Sequence, residues 1–180
     1  VQEELEKKGV SVVLRFEEEY PRQLQSIPDR PYAIFYKGCL PTAEKYSVGI
    51  VGARQCTPYG EKYAFEFAQQ LAQYRVQIIS GLAKGIDGIS QRGALMGGGQ
   101  TFAVLGNGVD ICYPRENIGL YHDIIEQGGG ILSEFPLGAP PLGFQFPKRN
   151  RILSGLSKVL LVIEAREKSG SLITADMALE

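Results

Sequence analysis

The stretch YSVGIVGARQCTPYG, residues 46–60, contains an apolar run, a glycine turn and a helix start in direct succession. Residues 47–51 predict a buried strand. Thr57 followed by Pro58 predicts the start of a helix, because threonine is a good N-cap and proline suits the first helical position. Free backbone N–H groups and the helix dipole converge where strand, turn and helix meet. We therefore expect a phosphate-binding crevice here, with Arg54 supplying positive charge.

The same stretch also has a plainer interpretation. In this interpretation, Gly49 and Gly52 are present only because they allow close packing of strand and helix, and Arg54 is a solvated turn residue. For a single glycine turn this second interpretation is the better one, so the choice depends on what the other strand ends of the chain carry.

Outside this stretch, short apolar runs alternate with helical periodicity, which is typical of an α/β fold with a doubly wound, mostly parallel sheet. The predicted strands are 47–51, 76–80, 101–105, 131–134 and 158–164. The predicted helices are 57–74, 86–96, 116–127, 149–156 and 169–180. Residues 1–45 predict an N-terminal annex, a remnant of a preceding domain with edge strands at 10–16 and 31–38, and residues 46–180 predict the main domain.

Composition narrows the class of protein. A chain of 180 residues that is 44% hydrophobic suits one globular domain. No apolar run approaches the ~20 residues that span a bilayer, and the first residues do not resemble a signal peptide, so we expect no membrane association. Cys39, Cys56 and Cys112 lie far apart, which indicates reduced thiols in a cytoplasmic protein and no metal site. His122 is the only histidine, which argues against histidine-based catalytic triads and zinc sites. A net charge of −1 still allows a basic cleft.

The strand ends carry a repeated pattern of small and charged residues. In open parallel sheets the ligand crevice lies beyond the carboxyl ends of the strands. The residues expected there are Gly52 with Arg54, Gly81 with Lys84, Gly106 with Gly108, Ser133 with Glu134, and Glu164 with Arg166. An explanation by packing alone would have to repeat at each strand end, so the set favours a binding crevice.

The glycine turns match no cofactor motif. G-x-G-x-x-G, with an acid after the second strand, and the P-loop G-x-x-x-x-G-K-[ST] are both absent from the sequence. We therefore expect no cofactor. A crevice of backbone N–H groups and cations suits a phosphodiester chain or a nucleotide.

A basic run, FPKRNR at residues 146–151, is the second informative stretch. It is predicted to begin a helix, where cations oppose the dipole and so indicate a partner. Phe144 and Phe146 flank the cations, and aromatic rings among cations are how single strands are bound. A solvated cationic turn is the plainer alternative. Arg149 and Arg151 cannot share a helix face, so we expect one to face ligand and the other to be structural, paired for instance with Glu134 or Glu164.

Six motifs together resemble the DNA-processing protein A family (DprA/Smf). They are GAR at 52–54, SGLAKGID at 80–87, LGNGVD at 105–110 with Tyr113 and Pro114, SE at 133–134, FPKRNR at 146–151, and SGS at 169–171 with Thr174 and Ala175. The resemblance implies an extended Rossmann fold and a homodimer that binds single-stranded DNA without hydrolysing it, hence no enzyme and no catalytic residues. It also implies a role in natural transformation, in which the protein protects incoming strands and passes them to the RecA recombinase.

Strand ends and family pattern together give one set of expected DNA-binding residues. Arg54 and the FPKRNR segment are implied to line the pocket, with Lys84 and Arg115 as weaker candidates. The full set is Gly52, Arg54, Gly81, Lys84, Gly106, Gly108, Arg115, Phe146, Lys148, Arg149, Asn150, Arg151, Ser169, Gly170 and Ser171.

The chain departs from the family pattern in three places. Gln91 stands where the family usually has histidine, a tolerable exchange if that residue only packs or donates a hydrogen bond. The domain is expected to be truncated at its C-terminus. The helical N-terminal domain of many members is nearly absent.

Two rival functions remain open on the sequence. Rossmann-like phosphoribohydrolases acting on nucleoside monophosphates use similar turns, with Glu134 or Glu164 as the catalytic candidate here. Their Pro-Gly-Gly-x-Gly-Thr signature is not met by KSGSLIT at 168–174. A scaffold without ligand would require every strand-end glycine to serve packing alone.

Overall fold

The computed structural model describes residues 2–165 and 169–178. The strands are β1 (Ser11–Leu14), β2 (Ala33–Gly38), β3 (Ser47–Gly52), β4 (Gln77–Ser80), β5 (Thr101–Val104), β6 (Gly130–Ser133) and β7 (Val159–Ile163). The helices are α1 (Gln2–Lys7), α2 (Pro58–Gln73), α3 (Ile86–Met96), α4 (Ile118–Glu126), α5 (Gln145–Leu156) and α6 (Gly170–Met177). Short 3₁₀ turns occupy Arg22–Leu24 and Arg115–Asn117.

All seven strands belong to one sheet, in the order β1-β2-β6-β5-β4-β3-β7. The five strands from β6 to β7 pair in parallel, whereas β1 and β2 join one edge antiparallel. The predicted mostly parallel α/β sheet is therefore confirmed, and the strands of the expected annex extend that same sheet. The chain winds from β3 through β4 and β5 to β6 and then returns to the other side of β3. The strand order thus reverses between β3 and β7.

Helices cover both faces of the sheet because successive strand residues point to opposite sides. Ile78 packs with Ala64 and Ala68 of α2, whereas its neighbour Ile79 packs with Ile152 of α5. On the first face α2 contacts α3, and α3 contacts α4; on the second face α5 contacts α6. Apolar packing on both faces therefore encloses β4 and β5, whose residues are all buried.

Two predicted helix starts have different outcomes. Thr57 is the N-cap of α2, and its hydroxyl accepts a hydrogen bond from Gly60 N at 3.3 Å, as the sequence indicated. The second helix, α5, begins at Gln145, four residues before the predicted start. Pro147 falls within its first turn, where a missing N–H breaks no hydrogen bond. The prediction that cations occupy the helix start is wrong, because they lie from the fourth residue onward. Their position relative to the helix dipole therefore no longer indicates a partner.

None of the described helices is both long enough and apolar enough to cross a membrane.

Candidate functional site

A cleft of about 800 Å³ lies where the strand order reverses, beyond the carboxyl ends of β3 and β4. Open α/β sheets bind ligands at this position. Its walls come from the turns after those two strands, from α5 and from the N-terminus of α6. The polar and aromatic lining residues are Arg54, Gln55, Lys84, Asp87, Tyr113, Phe146, Arg149, Asn150, Ser169, Ser171 and Thr174.

Two glycines allow the elements around the cleft to converge. A Cβ on Gly52 would lie 1.9 Å from the carbonyl oxygen of Ile163, so only glycine lets β3 and β7 approach this closely. Gly85 has a φ of +71°, and a Cβ there would lie 2.3 Å from the carbonyl oxygen of Ala53. The turn after β3 and the start of α3 are thereby held against each other, and the side chain of Arg54 projects beside them.

Arg149 forms part of the cleft floor, and its side chain is only 5% exposed. Its Nη1 donates to the carbonyl oxygens of Gly81, at 3.1 Å, and Val104. Its Nε donates to Asn150 Oδ1 at 3.1 Å. Burial lowers the pKa of Arg149 to about 10. The guanidinium ties α5 to the ends of β4 and β5, so its hydrogen-bonding capacity is largely used inside the protein.

Asp87, in the first turn of α3, is buried next to Arg149 and 7% exposed. Its Oδ2 accepts a hydrogen bond from Gly81 N at 3.1 Å. Burial raises the pKa of Asp87, and the positive charge of Arg149 acts in the opposite direction. Because these two opposite charges offset each other in the floor, the net positive charge of the cleft comes from its other cations.

Arg54 is the exposed cation of the cleft. Among the described residues it has no ion pair or hydrogen bond, and its Cζ lies 5.7 Å from the centroid of the Phe146 ring. The ring of Tyr113 lies 5.8 Å from Phe146, and Arg149 lies 6.0 Å away on the same ring. Lys84 stands at the rim, where its Nζ is 2.8 Å from Glu116 Oε2. The cleft thus joins a free guanidinium to an aromatic pair.

The N-terminus of α2 is already occupied by a carboxylate of the chain itself. Glu164, which has a φ of +54°, accepts hydrogen bonds from Thr57 N, at 2.8 Å, and from the Thr57 hydroxyl. These hydrogen bonds from Thr57 lower the pKa of Glu164. The expected anion position at this helix start is therefore filled, which corrects the prediction drawn from residues 46–60.

The N-terminus of α6 opens on the cleft instead. Ser169, Gly170 and Ser171 all line it. The Ser171 hydroxyl donates to the Gly52 carbonyl oxygen at 2.9 Å, which fixes this helix start beside the turn after β3. The Ser169 hydroxyl is buried and has no hydrogen-bond partner among the described residues. Free backbone N–H groups at a helix start favour an anion.

The expected binding residues separate into three groups. Nine line the cleft: Gly52, Arg54, Lys84, Phe146, Arg149, Asn150, Ser169, Gly170 and Ser171. Gly81 and Gly106 support its walls; a Cβ on Gly106 would lie 2.8 Å from the Phe146 ring. The other four, Gly108, Arg115, Lys148 and Arg151, do not line the cleft, and neither do Ser133, Glu134 and Glu164, which were also expected at this edge of the sheet. Arg166, expected at the end of β7, lies outside the described residues.

For each of the four binding candidates outside the cleft, the position has a local reason. Gly108 lies under a loop, because a Cβ there would meet the carbonyl oxygen of Pro136 at 2.7 Å. Arg115 belongs to an exposed 3₁₀ turn. Lys148 and Arg151 are three residues apart on α5, so they share a helix face that differs from the face of Arg149.

Arg151 is the structural arginine of the basic run. Its Nη1 and Nη2 donate to the two carboxylate oxygens of Glu134, each at 2.7 Å, and its Nε donates to the Asp29 carbonyl oxygen at 2.9 Å. The expected pairing of one arginine with Glu134 is thus confirmed. Glu134 and Glu164, the two catalytic candidates of the hydrolase alternative, are both engaged in intramolecular contacts.

Gln91 makes two buried hydrogen bonds. Its Oε1 accepts from Leu82 N at 3.1 Å, and its Nε2 donates to Thr101 Oγ1 at 3.2 Å. The side chain links the turn after β4 to β5. Gln91 therefore serves as a buried hydrogen-bonding residue. This meets the condition under which glutamine can replace the histidine that the family usually has.

Sequence reasoning missed Asp87, Tyr113 and Gln55 as residues of the cleft. Asp87 could have been predicted, because it ends the motif SGLAKGID at the start of a predicted helix. A carboxylate in the first turn of a helix can accept hydrogen bonds from N–H groups of the preceding turn. Tyr113 comes from the loop after β5, whose path the sequence does not predict.

Comparison with known proteins gives consistent matches. The family model for DNA recombination-mediator protein A matches residues 11–180. Protein Smf of Escherichia coli is 48% identical over 161 residues, which cover 89% of this chain and 43% of that protein. DNA processing protein DprA of Streptococcus pneumoniae is 45% identical over 161 residues, covering 89% of this chain and 56% of that protein. The chain spans about half the length of these relatives, and neither is named for a catalytic activity.

Solved structures agree with this result. The structure of DprA from Streptococcus pneumoniae superposes with a TM-score of 0.88 at 39% identity, covering 99% of this chain and 63% of that one. The Helicobacter pylori protein, whose structure concerns its single-stranded DNA binding mode, gives a TM-score of 0.83 at 31% identity over 94% and 75% of the two chains. A molybdenum cofactor carrier protein of Chlamydomonas reinhardtii, at 21% identity and a TM-score of 0.52 over 75% of this chain and 70% of that one, shares the fold alone.

Proposed function

The chain belongs to the DNA recombination-mediator protein A family, and from this we propose that it binds single-stranded DNA in the cleft beyond β3 and β4. The observation that carries the proposal is the exposed guanidinium of Arg54, without an ion pair among the described residues, beside the rings of Phe146 and Tyr113. Proteins that bind single strands combine cations for the phosphates with aromatic rings for the bases.

The chemistry of the cleft suits a backbone phosphate next to a stacked base. Arg54 and the N-terminus of α6 flank the same space, so that a phosphate there meets a guanidinium and backbone N–H groups together. Phe146 is half-buried against Gly106, which keeps its ring in place for stacking. Stacking and phosphate contacts tolerate any base, so we expect binding to single strands of any sequence.

The biological setting is the finer part of the proposal. The relative from Streptococcus pneumoniae is named a DNA processing protein, and the family is that of a recombination mediator. These names support a role in DNA processing and recombination. We propose that this role is in natural transformation, in which a cytoplasmic homodimer protects incoming strands and passes them to the RecA recombinase. Because the chain spans about half the length of the relatives it matches, the role belongs to the whole protein. Co-sedimentation with RecA and analytical ultracentrifugation of the chain alone would test the two partners.

The direct test is fluorescence anisotropy of a labelled single strand over a salt series, with duplex of the same sequence as competitor. We expect salt-sensitive binding that duplex does not displace. Absence of binding at low salt would overturn the proposal for this chain.

The hydrolase alternative has a separate readout. Incubation with nucleoside 5′-monophosphates would release free base if the cleft were catalytic. We expect no release, because Glu164 caps α2 and Glu134 pairs with Arg151. Base release without strand binding would replace our proposal with the hydrolase.

A further inference from the structure

A second hollow, of about 390 Å³, lies against a different face of α5 from the cleft. It is formed by the start of β2, the loop before it, the end of β6 and the exposed side of α5. Its lining residues are Arg15, Asp29, Arg30, Pro31, Tyr32, Ala33, Glu134, Lys148 and Arg151.

The cations of the second hollow outnumber its carboxylates. Arg151 and Glu134 neutralise each other through two hydrogen bonds of 2.7 Å. This leaves Arg15, Arg30 and Lys148 against one carboxylate, that of Asp29.

These three cations are weakly engaged. The Nη1 of Arg30 lies 3.4 Å from the Gln25 carbonyl oxygen. The Nζ of Lys148, whose side chain is half exposed, lies 3.9 Å from Glu134 Oε2. In the nearby acidic turn, the Glu17 carboxylate accepts the N–H of Leu14 at 2.7 Å, which holds it on the backbone. The chain has a net charge of −1, so this local excess of positive charge requires an explanation.

Exposed aromatic rings stand next to these cations. The Tyr32 ring is 59% exposed, and the Cζ of Arg15 lies 5.0 Å from its centroid. Phe16, 69% exposed, meets Tyr32 edge to face at 6.3 Å. A site for an acidic peptide needs the cations but gains little from the flat rings, whereas a single strand uses both.

The cleft and the second hollow adjoin at the first turn of α5. Pro147 lines the cleft and the next residue, Lys148, lines the second hollow. Phe144, just before the helix, is 72% exposed on this path. A helix with its side chains is about 10–12 Å wide, so a strand crosses from one site to the other within a few nucleotides.

We propose that the second hollow binds the segment of single-stranded DNA that leaves the cleft. Arg15, Arg30 and Lys148 contact its phosphates, and a base stacks on Tyr32. Arg151 positions the hollow, because it ties the loop at Asp29 to α5 and Glu134. This inference rests on the proposed function of the cleft, and the experiment separates the two.

Strand length distinguishes the two sites. We would measure affinity for oligothymidines of about 6 and about 20 nucleotides, one within and one beyond typical single-strand site sizes. The variants are the double variant Arg15→Ala with Arg30→Ala, the cleft variant Arg54→Ala, and Lys45→Gln as a matched control. Lys45 is an exposed cation whose Nζ donates a hydrogen bond to the side chain of Gln100. Lys45 lies just before β3, so it is at the opposite end of β3 from the cleft.

The expected pattern is specific to strand length. The double variant should bind the short strand as the wild type does and lose roughly tenfold or more for the long one, as expected for lost charge-assisted contacts. Its salt slope on the long strand should fall by about 0.7 for each lost phosphate contact. Arg54→Ala should weaken binding of both strands, and Lys45→Gln should change neither.

Three other outcomes overturn the inference. If the double variant binds the long strand like the wild type while Arg54→Ala does not, the second hollow takes no part and the function of the cleft stands. If the double variant binds both DNA strands like the wild type but no longer binds an oligoglutamate peptide, the hollow is a site for acidic peptides. If neither strand binds the wild type, both proposals fail.

Photo-crosslinking provides an independent check. An iodouracil near the end of the long strand should crosslink to Tyr32 or Phe16. The crosslink at position 32 should be lost in Tyr32→Ala, which removes the ring. It should remain in Tyr32→Phe, unless that substitution displaces the ring. Crosslinks confined to other exposed rings, such as Tyr59 of α2, would contradict the inference.

Discussion

Two arginines of the same cleft have opposite roles because their surroundings differ. Arg54 is exposed and without an ion pair or hydrogen bond among the described residues, whereas Arg149 is buried and bound to the carbonyl oxygens of Gly81 and Val104. A free guanidinium can bind a ligand phosphate. A guanidinium whose N–H groups are already donated contributes to the architecture of the site.

Replacement of Arg54 by alanine should therefore affect binding and leave folding unchanged. We expect affinity for single strands of any sequence to fall by roughly 1.5–3 kcal/mol, the range of a charge-assisted hydrogen bond. The slope of log affinity against log salt should decrease by about 0.7 per lost phosphate contact. Anisotropy titrations at several salt concentrations measure both. Arg54→Lys should restore the slope more fully than the affinity, because lysine keeps the charge and loses the planar fork. An unchanged slope in the alanine variant would remove Arg54 from the interface.

Replacement of Arg149 by alanine should do the reverse and reduce stability. It leaves two buried carbonyl oxygens without their donor and removes the positive charge next to buried Asp87. Removal of one of two neighbouring buried charges costs about 3–5 kcal/mol. Urea denaturation followed by circular dichroism measures the loss. Arg22→Ala is the matched control, since Arg22 is exposed and its side chain has no hydrogen bond or ion pair in the described part of the chain; its effect should stay within about 0.5 kcal/mol. Equal stability of the Arg149 and Arg22 variants would show that the buried contacts contribute nothing.

The sequence predicted the residue types at the site better than their orientation. Arg54 follows a strong strand pattern by two residues, so its place at the cleft could be derived from the chain alone. Lys148 and Arg151 were expected at the cleft because they belong to the FPKRNR segment, which the family pattern places there, and α5 was predicted to start only at Arg149. With Pro147 inside the first turn, the helix begins at Gln145. The partners that fix each face, Glu134 and the loop at Asp29, come from distant parts of the chain.

At the scale of elements, α2 shows how a helix start can be closed to ligands. The carboxylate of Glu164, at the end of β7, takes the N–H of Thr57 at 2.8 Å. A Cβ on Gly60 would lie 2.5 Å from the Glu164 carboxyl carbon, so glycine is what admits this side chain. Sequence patterns predicted the strand and the helix, but not that the side chain of the residue just after the strand would reach the helix start.

Glu164 should make stability depend on acid pH. The hydrogen bonds from Thr57 lower its pKa below the ordinary value of 4.5. The folded state then holds fewer protons than the unfolded state, so the stabilisation is present above that value and is lost as pH falls through the folded pKa. We expect Glu164→Gln to lower the melting temperature near neutral pH, with a difference from wild type that shrinks as pH falls.

Melting curves of the wild type and of Glu164→Gln, between about pH 3 and pH 7, measure this effect. Some acid sensitivity should persist in the variant, because Asp110 also has a lowered pKa. Burial, the largest single effect, acts to raise this pKa, but the hydrogen bonds from Lys8 and from backbone N–H groups, together with the charge of Lys8, outweigh it. A difference that stays constant over the whole range would mean that the Glu164 charge does not contribute to the stability of α2.

At the scale of the molecule, the sheet order decides where a ligand can bind. The reversal between β3 and β7 brings together turns that are more than 80 residues apart in sequence, from Arg54 to Ser169 and Ser171. The alternation of strands and helices predicted a parallel sheet and a crevice at its carboxyl edge. Sequence alone did not predict that β1 and β2 would extend that sheet antiparallel, because strand pairing over such separations depends on tertiary packing.

The cleft joins the turn after β3, the start of α3, α5 and α6, so a strand bound in it should stabilise the whole domain. A ligand at one hundred times its dissociation constant adds about 2.7 kcal/mol to the free energy of unfolding when it binds only the folded state. For a domain of this size each kcal/mol raises the melting temperature by about 2–4 °C, so we expect a rise of roughly 5–10 °C with a saturating single strand. Differential scanning fluorimetry measures it. Duplex of the same sequence should give a smaller rise. Arg54→Ala should lose roughly half or more of the rise at the same strand concentration, while melting like the wild type without DNA. If single strand and duplex stabilise Arg54→Ala and wild type alike, the DNA lies on another surface and the cleft is not the site.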